Sequence, residues 1–277
     1  MLLIVLRLAL LAALVPAHLL AAPAHPTDPA DVRHRRALLW STRMCRHGLR
    51  LFGIRVRCHG RFDRDAPLKV CNHLSYLDAV ILSAIHPMLM VTSFEVRDDA
   101  LLGRITHAGG CEYVERRRFG GLAAECERLG GHLDHVSVLF FPEATSTDGT
   151  RMRPFRPDFF TAAIVARRAV QPLALRYRAI DGVPFSRRNH HRVCWYGDMT
   201  FAPHLLGVLA TRRIDAELTF LDAIPATPGV DRKTLARAAQ ARIQAALDHR
   251  LERDHGGYVE TCTTALTERS ESVKYPG

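Results

Sequence analysis

The sequence predicts an α/β fold, in which a central, mostly parallel sheet is flanked by helices and preceded by an N-terminal membrane-associated helical segment. Beyond residue 53, short runs rich in β-branched and aromatic residues alternate with helix-length segments, as in folds with a partly parallel sheet. The 277 residues are enough for one large domain with a substantial core. The first 22 residues are apolar and carry a single charge, Arg7.

Strands and helices follow from the local patterns. Strands are predicted at 54–60, 67–72, 88–94, 111–115, 136–141, 171–177, 192–197 and 214–221. Helices are predicted at 76–86, 97–108, 119–133, 158–168 and 231–253. Right-handed crossovers would place the strand-to-helix turns at one edge of the sheet, where ligands bind in such folds.

Three regions are predicted along the chain. Residues 1–53 form an N-terminal membrane-anchoring or amphipathic helical segment, 54–253 form the α/β domain, and 254–277 form a disordered tail. A span of the bilayer core needs about 20 apolar residues, so residues 1–22 are borderline, and a cleaved signal peptide or a buried core helix are the alternatives. The basic segment 37–57 suits an anionic bilayer surface, although a basic helix face exposed to solvent would have the same sequence pattern.

The formal charge of +10 predicts affinity for an anionic partner: nucleic acid, a membrane surface or a phosphorylated substrate. Nucleic acid is disfavoured, because the sequence lacks zinc-ligand spacing and only 7% of its residues are aromatic. The seven cysteines are scattered without a Cys-x-x-Cys pair, which indicates neither a disulfide framework nor a metal site. These features together predict a membrane-associated protein on the cytoplasmic face.

The stretch "CNHLSYLDAV" (71–80) places a histidine and an aspartate at a strand-to-helix boundary. Ser75 and Asp78 match a helix capping box, which puts His73 in the turn before the helix. An ionised aspartate is favoured at a helix N-terminus and could orient the imidazole as a general base. The spacing alone leaves both interpretations open, since Asp78 could be only a cap and His73 only a turn residue.

A second stretch, "VLFFPEATSTDGT" (138–150), reads as a buried strand followed by an acid, small residues and hydroxyl residues. Asn72-His73-x4-Asp78 followed by Phe141-Pro142-Glu143-x-Thr145 resembles the lysophospholipid acyltransferase family, which includes the 1-acylglycerol-3-phosphate O-acyltransferases. "GGCEYVERRR" (109–118) and "VQPLALRY" (170–177) resemble the second and fourth motifs of that family. The resemblance covers about residues 67–177, with four motifs in the family's order.

The resemblance implies an O-acyltransferase that moves a fatty acyl chain from a thioester to a lysolipid hydroxyl. His73 would be the catalytic base and Asp78 the residue that orients it. The substrate-binding positions that it implies are Arg116, Glu143, Ala144, Thr145 and Ser146. It implies no metal and no cofactor beyond the thioester co-substrate, which would be acyl-CoA or an acyl carrier protein. The partners expected are membrane lipids, the lysophospholipid or lyso-ornithine lipid acceptor and this donor.

Two positions depart from the family's third motif, Phe-Pro-Glu-Gly-Thr. The glycine is Ala144, whose side chain disfavours a positive φ, and the arginine that often follows the threonine is Ser146. The expected acceptor is 1-acyl-sn-glycerol-3-phosphate, giving phosphatidic acid, with its phosphate held by Arg116, Arg151 or Arg153. A lyso-ornithine lipid, which carries no phosphate, is the alternative, because "TSTDGT" and "WYGDMTF" resemble that subgroup. A non-catalytic lipid-binding membrane protein is the alternative from another class.

Overall fold

The computed structural model of the protein describes residues 2–20, 30–115, 122–248 and 260–261. The helices are α1 (Leu2–Leu20), α2 (Ala30–Phe52), α3 (Tyr76–Ile85), α4 (Phe94–Asp98), α5 (Leu102–Ala108), α6 (Leu122–His132), α7 (Thr161–Ala166), α8 (Phe201–Ala210) and α9 (Arg232–Asp248). The strands are β1 (Ile54–His59), β2 (Leu68–Cys71), β3 (Met88–Ser93), β4 (Glu112–Val114), β5 (Ser137–Phe140), β6 (Val170–Ile180), β7 (Val183–Pro184), β8 (Ile214–Phe220) and β9 (Glu260–Thr261). Of the predicted tail, 254–277, the structure describes only residues 260–261.

The described strands form one sheet in the order β4-β3-β5-β2-β6-β8-β1-β9, with β7 beside β6. The block from β4 to β6 is parallel throughout, and β6 pairs antiparallel with β8. The predicted mostly parallel sheet flanked by helices is therefore confirmed. The central strands β2 and β5 are almost entirely buried, which explains their continuous apolar sequences.

Hydrophobic cores cover both faces of the sheet. Side chains from α2, α3 and α8 pack on one face, and side chains from α6, α7 and α9 pack on the other. Because β2, β5 and β6 are adjacent and parallel, their carboxyl ends share one edge of this three-layer structure. The turns that follow these strands are thereby brought together.

Two local predictions differ from the structure, and one helix was missed. The predicted strand 192–197 is wrong: a short 3-10 helix (His190–Arg192) and a turn lie there. The predicted helix 97–108 is divided into α4 and α5, because Asp99 accepts the backbone N–H groups of Leu101 and Leu102 and starts a new helix. Helix α8 was not predicted from its largely uniform apolar sequence.

Helix α1 is long and apolar enough to cross a membrane, and only 11% of its apolar window is buried. It is nevertheless attached to the domain at both ends. Arg7 donates to the backbone carbonyls of Leu209, Thr211 and Arg212 at the C-terminus of α8, and His18 lies 3.2 Å from the Ile105 carbonyl. The α1 helix therefore packs on the α/β domain while most of its apolar surface stays exposed.

The cysteines only partly match the expectation of a chain without disulfides. Five of them, Cys45, Cys71, Cys111, Cys126 and Cys194, are free thiols. Cys58 is disulfide-bonded, so that expectation is wrong at this position.

Candidate active site

The site lies at the carboxyl edge of β2, β5 and β6. Val70 of β2 pairs with Phe140 of β5, and continuing this parallel register by three residues places His73 level with Glu143. The chain beyond β2 turns and enters α3 at Tyr76, so His73 lies in the turn. The two stretches singled out in the sequence are therefore neighbours because their strands are paired.

His73 and Asp78 are in direct contact. Nδ1 of His73 lies 2.9 Å from Oδ2 of Asp78, and their side chains are 16% and 0% exposed. Because an ionised carboxylate only accepts hydrogen bonds, this contact fixes the proton of the neutral imidazole on Nδ1 and leaves Nε2 as the basic nitrogen. The fold of the turn thus brings together two residues that continuous helix would point apart.

Asp78 also caps helix α3. Its Oδ2 accepts the backbone N–H groups of Leu74 at 2.6 Å and Ser75 at 2.9 Å, and Ser75 is the N-cap of a complete capping box. Asp78 is therefore both the cap of α3 and the hydrogen-bond partner of His73, and the catalytic role of the pair stays a prediction. The cap holds the carboxylate in the position that the imidazole needs.

The backbone and ring of His73 are held from three sides. Its N–H donates to Glu143 Oε1 at 2.7 Å, and its carbonyl accepts the N–H of Thr147 at 3.0 Å. The imidazole stacks on the Phe141 ring, with centroids 3.9 Å apart and planes 12° apart. The ring plane is consequently fixed by the loop that follows β5.

Strand β6 ties to the same turn from the other side. The Asn72 side chain accepts the Leu175 N–H at 2.8 Å and donates to the Leu175 carbonyl at 2.9 Å. Two residues further along β6, the hydroxyl of Tyr177 donates to Asp78 Oδ1 at 2.7 Å. Sequence reasoning missed Tyr177, since only the pairing of β2 with β6 brings it to the site.

Glu143 is buried and bridges two loops. Its Oε1 accepts the backbone N–H of His73, and its Oε2 accepts the backbone N–H of Arg153 at 2.7 Å. Burial raises the pKa of Glu143 to about 7, while the N–H groups of Arg153 and His73 act in the opposite direction. Both carboxyl oxygens are engaged by backbone groups, so in this structure Glu143 joins the loop after β5 to the His73 turn.

The other residues of the third motif occupy distinct environments. Ala144 adopts φ 59°, so the left-handed conformation is kept despite the missing glycine. Ser146 is buried and donates its hydroxyl to the Trp195 carbonyl, and Thr145 is partly exposed beside it. Arg116 lies outside the described residues, and its predicted role stays a prediction.

An open groove of about 410 Å³, called here the dyad groove, adjoins the His73 turn. Asn72, Glu143 and Tyr177 line one side, and the C-terminal turns of α9 line the other. Its rim carries three arginines, Arg151, Arg176 and Arg178. The groove is therefore lined by several cationic side chains and adjoins the residues on either side of His73.

The His73–Asp78 pair lies at the carboxyl edge of an α/β sheet beside the dyad groove, an arrangement that suits acid–base chemistry. Comparisons with known proteins specify the class. The family model described as Acyltransferase matches residues 55–176. The chain belongs to the acyltransferase family.

Individual relatives include two kinds of bacterial lipid acyltransferase. The lyso-ornithine lipid O-acyltransferase of Brucella abortus (strain 2308) is 35% identical over 211 residues, covering 73% of this chain and 79% of that protein. The 1-acyl-sn-glycerol-3-phosphate acyltransferase of Neisseria gonorrhoeae is 26% identical over 182 residues, covering 64% and 68%. The crystal structure of the 1-acyl-sn-glycerophosphate (LPA) acyltransferase from Thermotoga maritima has the same fold, with a TM-score of 0.64 at 13% identity, covering 92% of this chain and 97% of that one. The protein is thus an acyltransferase whose relatives act on lysolipids.

Proposed function

We propose that this acyltransferase moves a fatty acyl chain from a thioester to a lysolipid hydroxyl, with His73 as the general base. The observation that carries the proposal is the 2.9 Å contact between His73 Nδ1 and the fully buried Asp78. This contact leaves Nε2 to take the acceptor's proton, and Asp78 stabilises the imidazolium that forms. The resemblance of Asn72-His73-x4-Asp78 to the family's first motif supports the same assignment.

The proposed reaction balances with this single base. Nε2 of His73 takes the hydroxyl proton as the acceptor oxygen attacks the thioester carbonyl. The tetrahedral intermediate collapses with cleavage of the C–S bond, and the imidazolium returns the proton to the departing thiolate. The products are an ester and a free thiol, and His73 is again neutral.

For the acceptor, we favour a lyso-ornithine lipid over 1-acyl-sn-glycerol-3-phosphate, which reverses the order expected from the sequence. The relatives with the higher identities bear the lyso-ornithine name. Ser146, which replaces the arginine of the phosphate-handling motif, is buried and hydrogen-bonded to Trp195, so it offers no cation to a phosphate. An acceptor without a phosphate fits this substitution.

For the donor, we propose acyl-CoA or an acylated carrier protein. Both present the thioester on a phosphate-bearing arm, and Arg151, Arg176 and Arg178 line the dyad groove that adjoins the His73 turn. Arg151 is exposed and makes no side-chain hydrogen bond to the part of the chain that the structure describes. It is the arginine most available to a phosphate.

The protein is membrane-associated, and we propose that it works on the cytoplasmic face. Exposed apolar residues along α1 include Leu6, Leu8 and Leu10. Arginine-rich α2 follows directly, and basic residues flanking an apolar helix favour the cytoplasmic side. The thioester donors are also intracellular molecules.

The acceptor is tested by assaying the purified protein with a lyso-ornithine lipid and with 1-acyl-sn-glycerol-3-phosphate side by side, using one acyl thioester. We expect ester formation with the lyso-ornithine lipid at a higher kcat/KM. A preference for the glycerophosphate would overturn the acceptor assignment and leave the acyltransferase chemistry standing. Ester formation with neither would overturn both.

A further inference from the structure

Tyr177 is the largest of the fully buried side chains, and it is 1% exposed. The two hydrogen bonds between Asn72 and Leu175 fix β6 against the His73 turn, so the position of Tyr177 is set by the sheet. Its ring packs in the core on the α3 face of the sheet, with the Phe185 ring 6.2 Å away. Its hydroxyl reaches out of this apolar environment to Asp78 Oδ1 at 2.7 Å.

The two oxygens of Asp78 have different partners. Oδ2 receives His73 Nδ1 and the backbone N–H groups of Leu74 and Ser75, whereas Oδ1 receives the Tyr177 hydroxyl. The hydroxyl therefore holds the end of the carboxylate that faces away from the imidazole. A rotation of this carboxylate about its χ2 angle would break the tyrosine contact and the histidine contact together.

We propose that Tyr177 is a positioning residue of the dyad, which acts through Asp78 by fixing the orientation of the carboxylate and sharing its negative charge. This inference rests on the proposed role of His73 and Asp78. A phenol hydroxyl that donates to Oδ1 reduces the basicity of the carboxylate. Tyr177 thereby keeps the carboxylate in the orientation that the His73 contact requires and shares its charge between two donors.

The other titratable groups around Asp78 are compatible with this role. Burial raises the pKa of Tyr177 well above its usual value, with the Asp78 charge acting in the same direction, so the phenol stays a neutral donor. Burial likewise raises the pKa of the Cys71 and Cys194 thiols, which therefore add no charge. Glu143, with a pKa of about 7, titrates in the same range as a histidine, and it is present in every variant compared below.

The test is Tyr177→Phe, which keeps the ring in the core and removes only the hydroxyl. We expect kcat to fall about 10-fold, as for one lost hydrogen bond to a charged group, while the KM values for donor and acceptor stay within about twofold. The acid limb of the kcat/KM profile should move to higher pH by about half a unit or more, because the His73–Asp78 pair becomes more basic. A wild-type pH profile would overturn the proposal.

Tyr76→Phe is the matched control. Tyr76 is the first residue of α3, but its hydroxyl contacts His204 of α8, at 3.1 Å, instead of Asp78. We expect this variant to keep the wild-type pH profile. A shift as large as that of Tyr177→Phe would show that any hydroxyl lost near α3 has this effect, and would overturn the specific role of Tyr177.

A double-mutant cycle with Asp78→Asn separates positioning from packing. If Tyr177 acts through the charge of Asp78, Tyr177→Phe should reduce kcat much less in the Asp78→Asn background than in the wild type. Equal reductions in the two backgrounds would overturn the proposal. A fully active Asp78→Asn protein would instead refute the proposed dyad, so the two failures are distinguishable.

Discussion

Replacing Asp78 with asparagine should slow acyl transfer by about 10- to 100-fold without changing which imidazole nitrogen carries the proton. The backbone N–H groups of Leu74 and Ser75 both point at the Oδ2 position. An asparagine must place its carbonyl oxygen there, since the opposite orientation would set its NH2 group against two donors. The same oxygen then accepts from His73, so the useful tautomer is preserved.

The size of the effect follows from the charge that is lost. Hydrogen bonds to charged groups contribute about 1.5–3 kcal/mol, so losing the anionic acceptor of the imidazolium corresponds to roughly 10- to 100-fold in rate. Fixing the wrong tautomer would be far more damaging, with losses on the order of 10⁴-fold, as in serine-protease triads. The two situations differ by about two orders of magnitude, which a rate measurement resolves.

The assay is release of the free thiol from an acyl thioester by the purified protein in detergent, with a saturating lysolipid acceptor and a range of pH.

Asp78→Ala should be less active and less stable than Asp78→Asn, because it removes both the anionic partner of His73 and the α3 cap. Asp231→Ala is the matched control, since Asp231 caps α9 through the N–H groups of Lys233 and Thr234, away from the dyad. It should keep full kcat.

A loss near 10⁴-fold in Asp78→Asn would refute the argument from the capping N–H groups. A wild-type rate would refute the dyad itself.

Three further predictions concern stability and the membrane. The pKa of Glu143 is about 7 in the folded protein against 4.5 for a free side chain, so wild type should lose stability as the pH rises from about 4.5 to about 7. Glu143→Gln cannot ionise and should lose less stability over this range, whereas melting temperatures that fall in parallel in the two proteins would contradict this. Ala144→Gly relieves a left-handed residue at φ 59° and should raise stability by about 1 kcal/mol, whereas a lower melting temperature would show that the β-carbon is needed for packing. Arg7→Met leaves the carbonyls at the end of α8 without their donor and should lower the free energy of unfolding by about 1–3 kcal/mol, with partial recovery in Arg7→Lys. Leu6→Asp, on the exposed face of α1, should reduce flotation with vesicles at an unchanged melting temperature. Equal effects of Arg7→Met and Leu6→Asp on melting temperature and on flotation would contradict the two roles assigned to α1.

The sequence predicted most strands of the sheet because parallel strands buried on both faces have continuous apolar runs. The prediction of a strand at 192–197 is wrong because Val193 and Cys194, although buried, lie in a turn. β-Branched and aromatic residues indicate burial, and burial alone does not distinguish a strand from a turn packed under a helix. The contact that holds this turn, from the Trp195 N–H to the Leu74 carbonyl, joins segments 121 positions apart.

The site was predictable to the extent that its signals are local. Ser75 and Asp78 form a capping box within four positions, and this motif places His73 in the turn. Tyr177 has no such signal, because it is 99 positions from Asp78 and meets it only through the pairing of β2 with β6. The order of strands in a sheet depends on long-range packing, which one sequence does not encode in any short pattern.

The role of His73 as the base of an acyl transfer to a lysolipid is tested by comparing wild type with His73→Ala for ester formation and thiol release. Circular dichroism and the melting temperature are recorded for both proteins. We expect the variant to remain folded and to lose at least about 10²-fold in kcat. A folded His73→Ala protein that forms ester at the wild-type rate would contradict this role.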